Sequence, residues 1–160
     1  MPDQDLLAEI SRHEGAVGTD CLNLIVDHYV PHTEPVLALQ EIIRAGAKSL
    51  VARGRLDETS PFFVTDEGVP YWCCLEFMSQ AIAALEGIRA SLRGEPLPIG
   101  YLLGTRCLSS TSEYLPLGTE FEVVVEEIKS HSNGLAYFSC AFVWDDNSVR
   151  CDISVFRKSA

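Results

Sequence analysis

One long segment near the middle of the chain constrains the fold more than any other feature. From Trp72 to Ser91, apolar or small residues occupy nearly every side of a helical pattern, and Glu76 is the one charged residue before Glu86. A helix that is apolar all round is expected to be buried. The sequence therefore predicts one central helix, spanning about residues 71–93, which the rest of the chain must cover.

Short runs with strand character lie on both sides of this helix. Residues 36–43 read as a strand, and residues 47–52 as its continuation or its hairpin partner. Four more runs follow the helix and are separated by turn signals such as Asn133-Gly134; they cover residues 99–108, 120–128, 136–144 and 148–156. This order predicts an α+β fold in which an antiparallel sheet wraps around the helix. Such a sheet leaves its edges exposed, which favours the pairing of two copies edge to edge.

Length and charge limit the organisation and the partners. The 160 residues fit one domain, predicted over residues 21–160, and residues 1–20 form an extension with a short helical pattern at 3–15. The formal net charge of −11 excludes nucleic acid as an expected partner, because phosphate binding needs clustered Lys and Arg. It also disfavours an anionic membrane surface. An acidic partner would need a local basic patch, for which Lys48, Arg89, Arg93 and Arg106 are the candidates.

The cysteine pattern favours buried structural thiols rather than metal ligands. The six cysteines, which form no CxxC pair, are Cys21, Cys73, Cys74, Cys107, Cys140 and Cys151. Closely spaced Cys or His pairs are the usual mark of structural zinc, so no metal site is predicted. Free thiols fit a reducing compartment, and the polar start of the chain has no signal-peptide pattern. These observations predict a cytoplasmic protein with no membrane-spanning segment.

Two residues are the candidates for proton-transfer chemistry. Glu76 is an isolated carboxylate on the central helix, and an ionised carboxylate on a buried helix face is costly unless it is paired. Gln80 lies one turn later on the same face and could hold that carboxylate or a ligand. His32 lies between Pro31 and Pro35, which would orient its ring, and histidine is the usual acid or base near neutral pH. The alternatives are a solvent-facing Glu76 and an ordinary turn histidine. Cys74, at the start of the helix, is a weaker candidate nucleophile.

Several segments together resemble the β-hydroxyacyl-acyl carrier protein dehydratases. PHTEPVLAL at 31–39 resembles their opening motif PHxxPxLLLD, and SPFF at 60–63 followed by LEFMSQA at 75–81 is similar to their EPFF…LEAMAQA segment. The resemblance continues through LLGTR at 102–106 and PLG at 116–118, and covers about residues 21–157. PHTEPV, EFMSQAIAAL and GYLLGTR are most similar to the branch associated with aryl polyene pigment clusters.

This resemblance implies a fold and an activity. It implies a hotdog fold, a dimer with active sites at the subunit interface, and removal of water from a 3-hydroxyacyl thioester carried on an acyl carrier protein or on coenzyme A. The pathway would be fatty acid-like, aryl polyene or polyketide biosynthesis, and no metal or redox cofactor is implied. Glu76 matches the helix carboxylate of the family, which would act with a histidine supplied across the subunit interface. We expect substrate contacts from Phe62, Phe63, Gln80 and Tyr101.

One departure from the family pattern leaves other functions open. The usual dehydratases carry their histidine in an HFPG segment before the helix, whereas residues 64–72 of this chain contain no histidine. Asp66 and Glu67 are poor substitutes, since like carboxylates near Glu76 would not form an imidazole-type pair. Either His32 has taken the role, or the chain is a non-catalytic acyl-binding or partner subunit of a dehydratase heterodimer. A hotdog thioesterase, with Glu76 activating water, is a further alternative.

Overall fold

The computed structural model describes residues 19–158, which form nine β-strands and one α-helix. The strands are β1 (Thr19–Ile25), β2 (Leu39–Ala45), β3 (Ser49–Arg55), β4 (Val69–Pro70), β5 (Gly100–Ser110), β6 (Tyr114–Leu115), β7 (Glu120–Ser130), β8 (Leu135–Trp144) and β9 (Asn147–Arg157). The helix, α1, spans Cys74–Leu92. It is not long and apolar enough to cross a membrane. The helical extension predicted at 3–15 lies outside the described residues.

The central helix forms where the sequence predicts it, with a tighter first turn. Residues Tyr71–Cys73 form a 3-10 turn, and α1 continues directly from it. Phe77, Met78 and Leu85 of α1 are completely buried. The helix ends just before Gly94, whose φ of 68° is a left-handed conformation that glycine adopts without steric cost. The predicted span of 71–93 therefore corresponds to the 3-10 turn and α1 together.

Seven of the strands form one antiparallel sheet around α1. Its order is β1-β2-β3-β7-β8-β9-β5, and β4 pairs with β6 in a separate two-stranded ribbon. The pairing of β3 with β7 joins the hairpin that precedes the helix to the strands that follow it. An antiparallel sheet wrapped around one long helix is the hotdog arrangement, which confirms the predicted fold.

Strand boundaries differ from prediction mainly in the first hairpin. Val36 was predicted to begin a strand, but the N–H groups of Val36 and Leu37 both donate to the carbonyl of Thr33, each at 3.1 Å. These bonds form a turn, so β2 starts only at Leu39. The residues after Ala45 reverse direction, which makes β3 the hairpin partner of β2 and not its continuation.

The core lies between α1 and the concave face of the sheet. Phe77 of α1 packs against Phe121 of β7 and Phe142 of β8, and the rings of Phe121 and Phe142 stack with centroids 4.3 Å apart. Phe62 meets the ring of Phe77 edge to face from the loop before the helix. This aromatic cluster fixes the first half of α1 against the middle of the sheet.

Candidate active site

A cleft of about 490 Å³ runs beside one stripe of α1 that the sheet does not cover. Glu76, Ser79, Ala83 and Glu86 form this stripe and are only partly buried, while most other residues of α1 are buried. Their spacing of three, four and three residues places them on one helix face. The helix is therefore covered by the sheet on most sides, and its remaining side forms the floor of the cleft.

The two candidate proton-transfer residues meet at one end of this cleft. Nε2 of His32 lies 3.8 Å from Oε1 of Glu76, and the side chains are 29% and 33% exposed. Both residues line the cleft. The structure thus brings together a loop histidine and a helix carboxylate that are 44 positions apart in the sequence. Within the described residues, Nδ1 of His32 is buried and has no hydrogen-bond partner.

A buried glutamine links the carboxylate to the segment that carries the histidine. Gln80 is fully buried, and its Nε2 donates to Oε1 of Glu76 at 3.0 Å and to the carbonyl of Val36 at 2.9 Å. Its Oε1 accepts a hydrogen bond from the N–H of Ala38 at 3.2 Å. All these contacts are made by one side chain, so Gln80 ties Glu76 to the turn that follows His32.

A close backbone approach fixes the other side of the histidine segment. An added Cβ on Gly87 of α1 would lie 1.9 Å from the carbonyl oxygen of Tyr29. Only a residue without a side chain allows the chain to pass this close to the helix. Tyr29 is buried and precedes His32 by three residues, so Gly87 and Gln80 together fix both ends of the segment.

Farther along α1, charged residues line the cleft. Glu86 of α1 accepts hydrogen bonds from Arg89 and, at 2.7 Å, from Nη1 of Arg157 on β9. Arg89 also reaches Oε2 of Glu127 on β7 at 2.7 Å and the carbonyl of Ala47. The wall opposite α1 is mainly apolar and comes from β5, β8 and β9; it includes Tyr101, Leu102, Ala136, Val155 and Phe156.

A second cavity meets the cleft at His32. It measures about 710 Å³, and polar side chains including Thr33, Arg55, Asp57 and Ser60 line it. His32 lines both cavities. The histidine therefore lies at the junction of a polar cavity and a cleft with an apolar wall.

Some predicted substrate contacts are not at the cleft. Tyr101 lines it and is half exposed, and its contact with substrate stays a prediction. Phe62 and Phe63 do not line it, because both pack against the hydrophobic core. Gln80 does not line it either, since its polar atoms are used by Glu76 and the backbone. The predicted direct contacts of Phe62, Phe63 and Gln80 with substrate are therefore not found in this cleft.

The remaining candidates for chemistry are excluded from the cleft or are chemically unsuited. Cys74 is fully buried, and this burial raises the pKa of its thiol, which opposes the thiolate form that a nucleophile needs. Glu67 faces Tyr114, and the hydrogen bond and charge of Glu67 raise the pKa of that phenol. No group of three or more His, Cys, Asp or Glu side chains in the described part of the chain could hold a metal ion.

Several cleft residues have no counterpart among the sequence-based candidates. Ser79, Ala83 and Glu86 could have been found from their helical spacing to Glu76, because all four share one face. Arg157 and His131 come from the ends of distant strands and carry no local signal. Of the basic-patch candidates, Arg89 and Arg93 also line the cleft, and both are paired with glutamates.

The sequence profile of the ApeP-like family, described as ApeP dehydratase, matches residues 24–160. The chain belongs to the ApeP-like dehydratase family. The match covers the histidine segment, α1 and every strand from β2 to β9, so it includes the residues that line the cleft. A search among curated proteins found no match.

Solved structures share the fold of this ApeP-like chain. A chain of the dehydratase heterocomplex ApeI:P from Xenorhabdus doucetiae superposes with a TM-score of 0.78 at 22% identity, covering 85% of this chain and 92% of that one. The smu.793 protein of Streptococcus mutans, bound to acetyl coenzyme A, gives 0.61 at 4% identity, covering 82% and 97%. The phenylacetic acid degradation protein PaaI of Thermus thermophilus gives 0.56 at 14% identity, covering 76% and 95%. At such low identities the likeness concerns the fold.

Proposed function

We propose that this chain dehydrates a 3-hydroxyacyl thioester, with His32 and Glu76 as its proton-transfer pair. The observation that carries the proposal is the 3.8 Å approach of His32 Nε2 to Glu76 Oε1 at the end of a cleft with an apolar wall. Membership of a dehydratase family supports the reaction type. The substrate would be carried on an acyl carrier protein or on coenzyme A, in the cytoplasm, as part of fatty acid-like, aryl polyene or polyketide biosynthesis.

The two side chains divide the elimination between them. His32 removes the proton from the carbon next to the thioester carbonyl, which is the more acidic position, and Glu76 in its protonated form gives a proton to the departing hydroxyl. The electron pair of the broken C–H bond forms the new carbon–carbon double bond as the C–O bond breaks, and water leaves. The proton now held by His32 then returns to Glu76, which is close enough for transfer through one water molecule.

The two cavities that meet at His32 fit the two halves of such a substrate. The acyl chain is apolar and suits the cleft beside α1, where Leu102 and Val155 form part of the wall. The carrier arm of an acyl thioester contains amide groups, and the polar cavity next to Thr33 and Ser60 offers hydrogen-bonding partners for them. His32 would then lie beside the thioester, where the reaction takes place.

A second subunit is part of the proposal. β5 is an edge strand whose outer side has no partner within residues 19–158, and Tyr101, Leu102 and Leu103 on it are about half exposed. An exposed apolar edge is a template for pairing with another strand. The partner would be a second copy or a homologous dehydratase, and the similar chain of Xenorhabdus doucetiae comes from a dehydratase heterocomplex.

Replacing each member of the pair tests the catalytic roles. Loss of a positioned acid or base lowers a rate by roughly 10²–10⁴-fold, so we expect that loss for Glu76→Gln and for His32→Asn. The assay follows the loss of the mass of one water from a 3-hydroxyacyl thioester. His28→Asn and Glu120→Gln are matched controls, because both side chains are exposed and neither lines the cleft. Full activity of Glu76→Gln would refute the proposal.

A binding subunit of a heterodimer is the second candidate function. The absence of a histidine in residues 64–72 and the unpartnered Nδ1 of His32 favour it, since no group fixes the ring as a base in the described chain. In that case dehydration would appear only when a homologous subunit is added, and His32→Asn would leave the rate of the mixture unchanged. Release of a free thiol from the substrate, measured with a thiol reagent, would instead indicate a thioesterase.

A further inference from the structure

Three apolar side chains are exposed where the cleft continues beyond Glu86. The cleft extends past Glu86 to Pro98 and Ile99. Leu92, Leu97 and Ile99 lie at the end of α1 and in the loop that leads to β5, and they are 39%, 41% and 59% exposed. We call these three residues the end patch. Single exposed apolar residues are ordinary, but a group of them beside an open cleft marks a surface for another segment or molecule.

The sheet brings the beginning of the chain to this same end of the molecule. Thr19, the first residue of β1, pairs with Ala45 of β2. Two residues farther on, the carbonyl of Ala47 accepts a hydrogen bond from Nε of Arg89 at 3.1 Å. Arg89 lies about one helical turn before Leu92. Thr19 therefore lies near the C-terminal end of α1, and so does the point where residues 1–18 join the sheet.

The length of residues 1–18 suffices to reach the end patch. Thr19 is separated from the end of α1 by one strand spacing, two residues of chain and one arginine side chain, a path of about 20 Å. Residues 11–18 can span up to about 26 Å when extended at about 3.3 Å each. The apolar residues that precede this stretch are therefore within reach of the patch; they are Leu6, Leu7 and Ile10.

The composition of residues 1–18 is complementary to the surroundings of the patch. The three apolar residues share one face of the helical pattern at 3–15, and an isolated helix of this length is marginal in water without a surface to pack on. The segment also contains four acidic residues and one arginine. Arg93 adjoins Leu92, and Arg157 pairs with the residue after Ile99. Both arginines are about half exposed and bonded to one glutamate each, so further N–H donors remain for a second carboxylate.

From these observations we infer that residues 1–18 fold back over the end patch and cover the cleft beyond Glu86. The three apolar side chains of the segment pack against the three of the patch. Ligands then enter the cleft from the His32 end. The family profile begins at residue 24, so this cover is a property of the present chain outside the matched region. The inference concerns only which segment covers a surface, and it does not depend on the reaction.

Photo-cross-linking in the full-length protein tests this placement. The photoreactive residue p-benzoylphenylalanine is introduced at Leu7, and the products are digested with trypsin and analysed by mass spectrometry. Cleavage after Arg93 and Arg106 yields a peptide of residues 94–106, which contains two residues of the end patch. We expect a cross-link to this peptide within a single chain. The matched control carries the same photoreactive residue at Ala8, on the opposite face of the helical pattern, and should give little of this product.

Two sets of variants complete the test. Leu97→Asp combined with Ile99→Asp should abolish the cross-link from position 7 and leave the circular dichroism spectrum unchanged, because both side chains are exposed. Leu7→Glu should uncover the patch and raise the fluorescence of the apolar probe anilinonaphthalenesulfonate, whereas Ala8→Glu should not. If the double variant fails to fold, the comparison of Leu7→Glu with Ala8→Glu decides.

Several results would overturn the inference. A cross-link found only in covalent dimers would assign the end patch to a second copy of the chain. Equal yields from positions 7 and 8, or no product with residues 94–106, would show that the segment does not lie there. None of these measurements involves dehydration, so a failure of the proposed reaction would leave them unchanged.

Discussion

At the scale of single residues, the site depends on how Glu76 is held rather than on Glu76 alone. Gln80 is buried deeply enough that each of its polar atoms needs a partner, and it finds them in Glu76 and in the backbone of Val36 and Ala38. The sequence predicted that Gln80 could hold the carboxylate or a ligand. The structure shows the hydrogen bond to the carboxylate, together with backbone bonds that no sequence pattern indicated.

Replacing Gln80 by leucine should therefore affect stability as well as catalysis. Gln80→Leu leaves the carbonyl of Val36 and the N–H of Ala38 without their side-chain partner, and an unsatisfied buried group costs about 1–3 kcal/mol. We expect a decrease of that size in the free energy of unfolding, measured with urea, and a slower dehydration rate. Glu41→Leu, on an exposed position of β2 that lines neither cavity, should change neither quantity by a comparable amount. Equal stabilities of the two variants would contradict the linking role of Gln80.

At the scale of elements, α1 has two functions that need different surfaces. Most of its circumference packs into the sheet, and the stripe from Glu76 to Glu86 forms the cleft floor. Gly87 lies beside this stripe, where the chain leading to His32 crosses the helix. Glycine weakens a helix interior, so its presence here follows from the close approach of Tyr29 and not from helix formation.

Gly87→Ala tests the close approach of Tyr29 against helix propensity, because the two effects change the stability of the protein in opposite directions. Alanine should stabilise an unconstrained helix by roughly 0.5–1 kcal/mol, whereas overpacking against a buried backbone costs about 1–3 kcal/mol. We expect a net loss of stability and a slower reaction, since the segment carrying His32 must move away from Glu76. Ser91→Ala, near the end of the same helix, provides the helix-propensity control. A stabilised and fully active Gly87→Ala protein would show that the crossing does not position the histidine.

At the scale of the whole molecule, the order of the sheet leaves one long strand at its edge. β5 has 11 residues and contacts β9 along one side, while most of its side chains are exposed. Tyr101 and Leu102 of this strand also line the cleft, so a partner bound at β5 would lie next to the proposed active site. Association and catalysis would then be coupled through the same strand.

A charge introduced on β5 tests whether this strand is an association surface. Leu103 is 58% exposed, and Leu103→Arg should prevent edge pairing, leaving a smaller species in light scattering after size exclusion. Ile128→Arg is a matched control, because Ile128 is 61% exposed on β7, an interior strand of the sheet. The control should keep the assembly state of the wild type. An unchanged mass for Leu103→Arg would place any association surface elsewhere.

The sequence by itself determined most of the elements and singled out Glu76 and His32 as candidates, and the tertiary structure decided what lies around these two residues. The central helix and the hairpins were predictable because apolar periodicity and turn residues act over a few positions. Glu76 and His32 were predictable as candidates because each is chemically conspicuous in its segment. The substrate contacts of Phe62 and Phe63 stay predictions: both rings pack against the core rather than in this cleft, and sequence context does not distinguish an aromatic side chain of a core from one of a cleft. The ion pair of Glu86 and Arg157 could not be predicted, because 71 positions separate its members and only the tertiary fold brings them together.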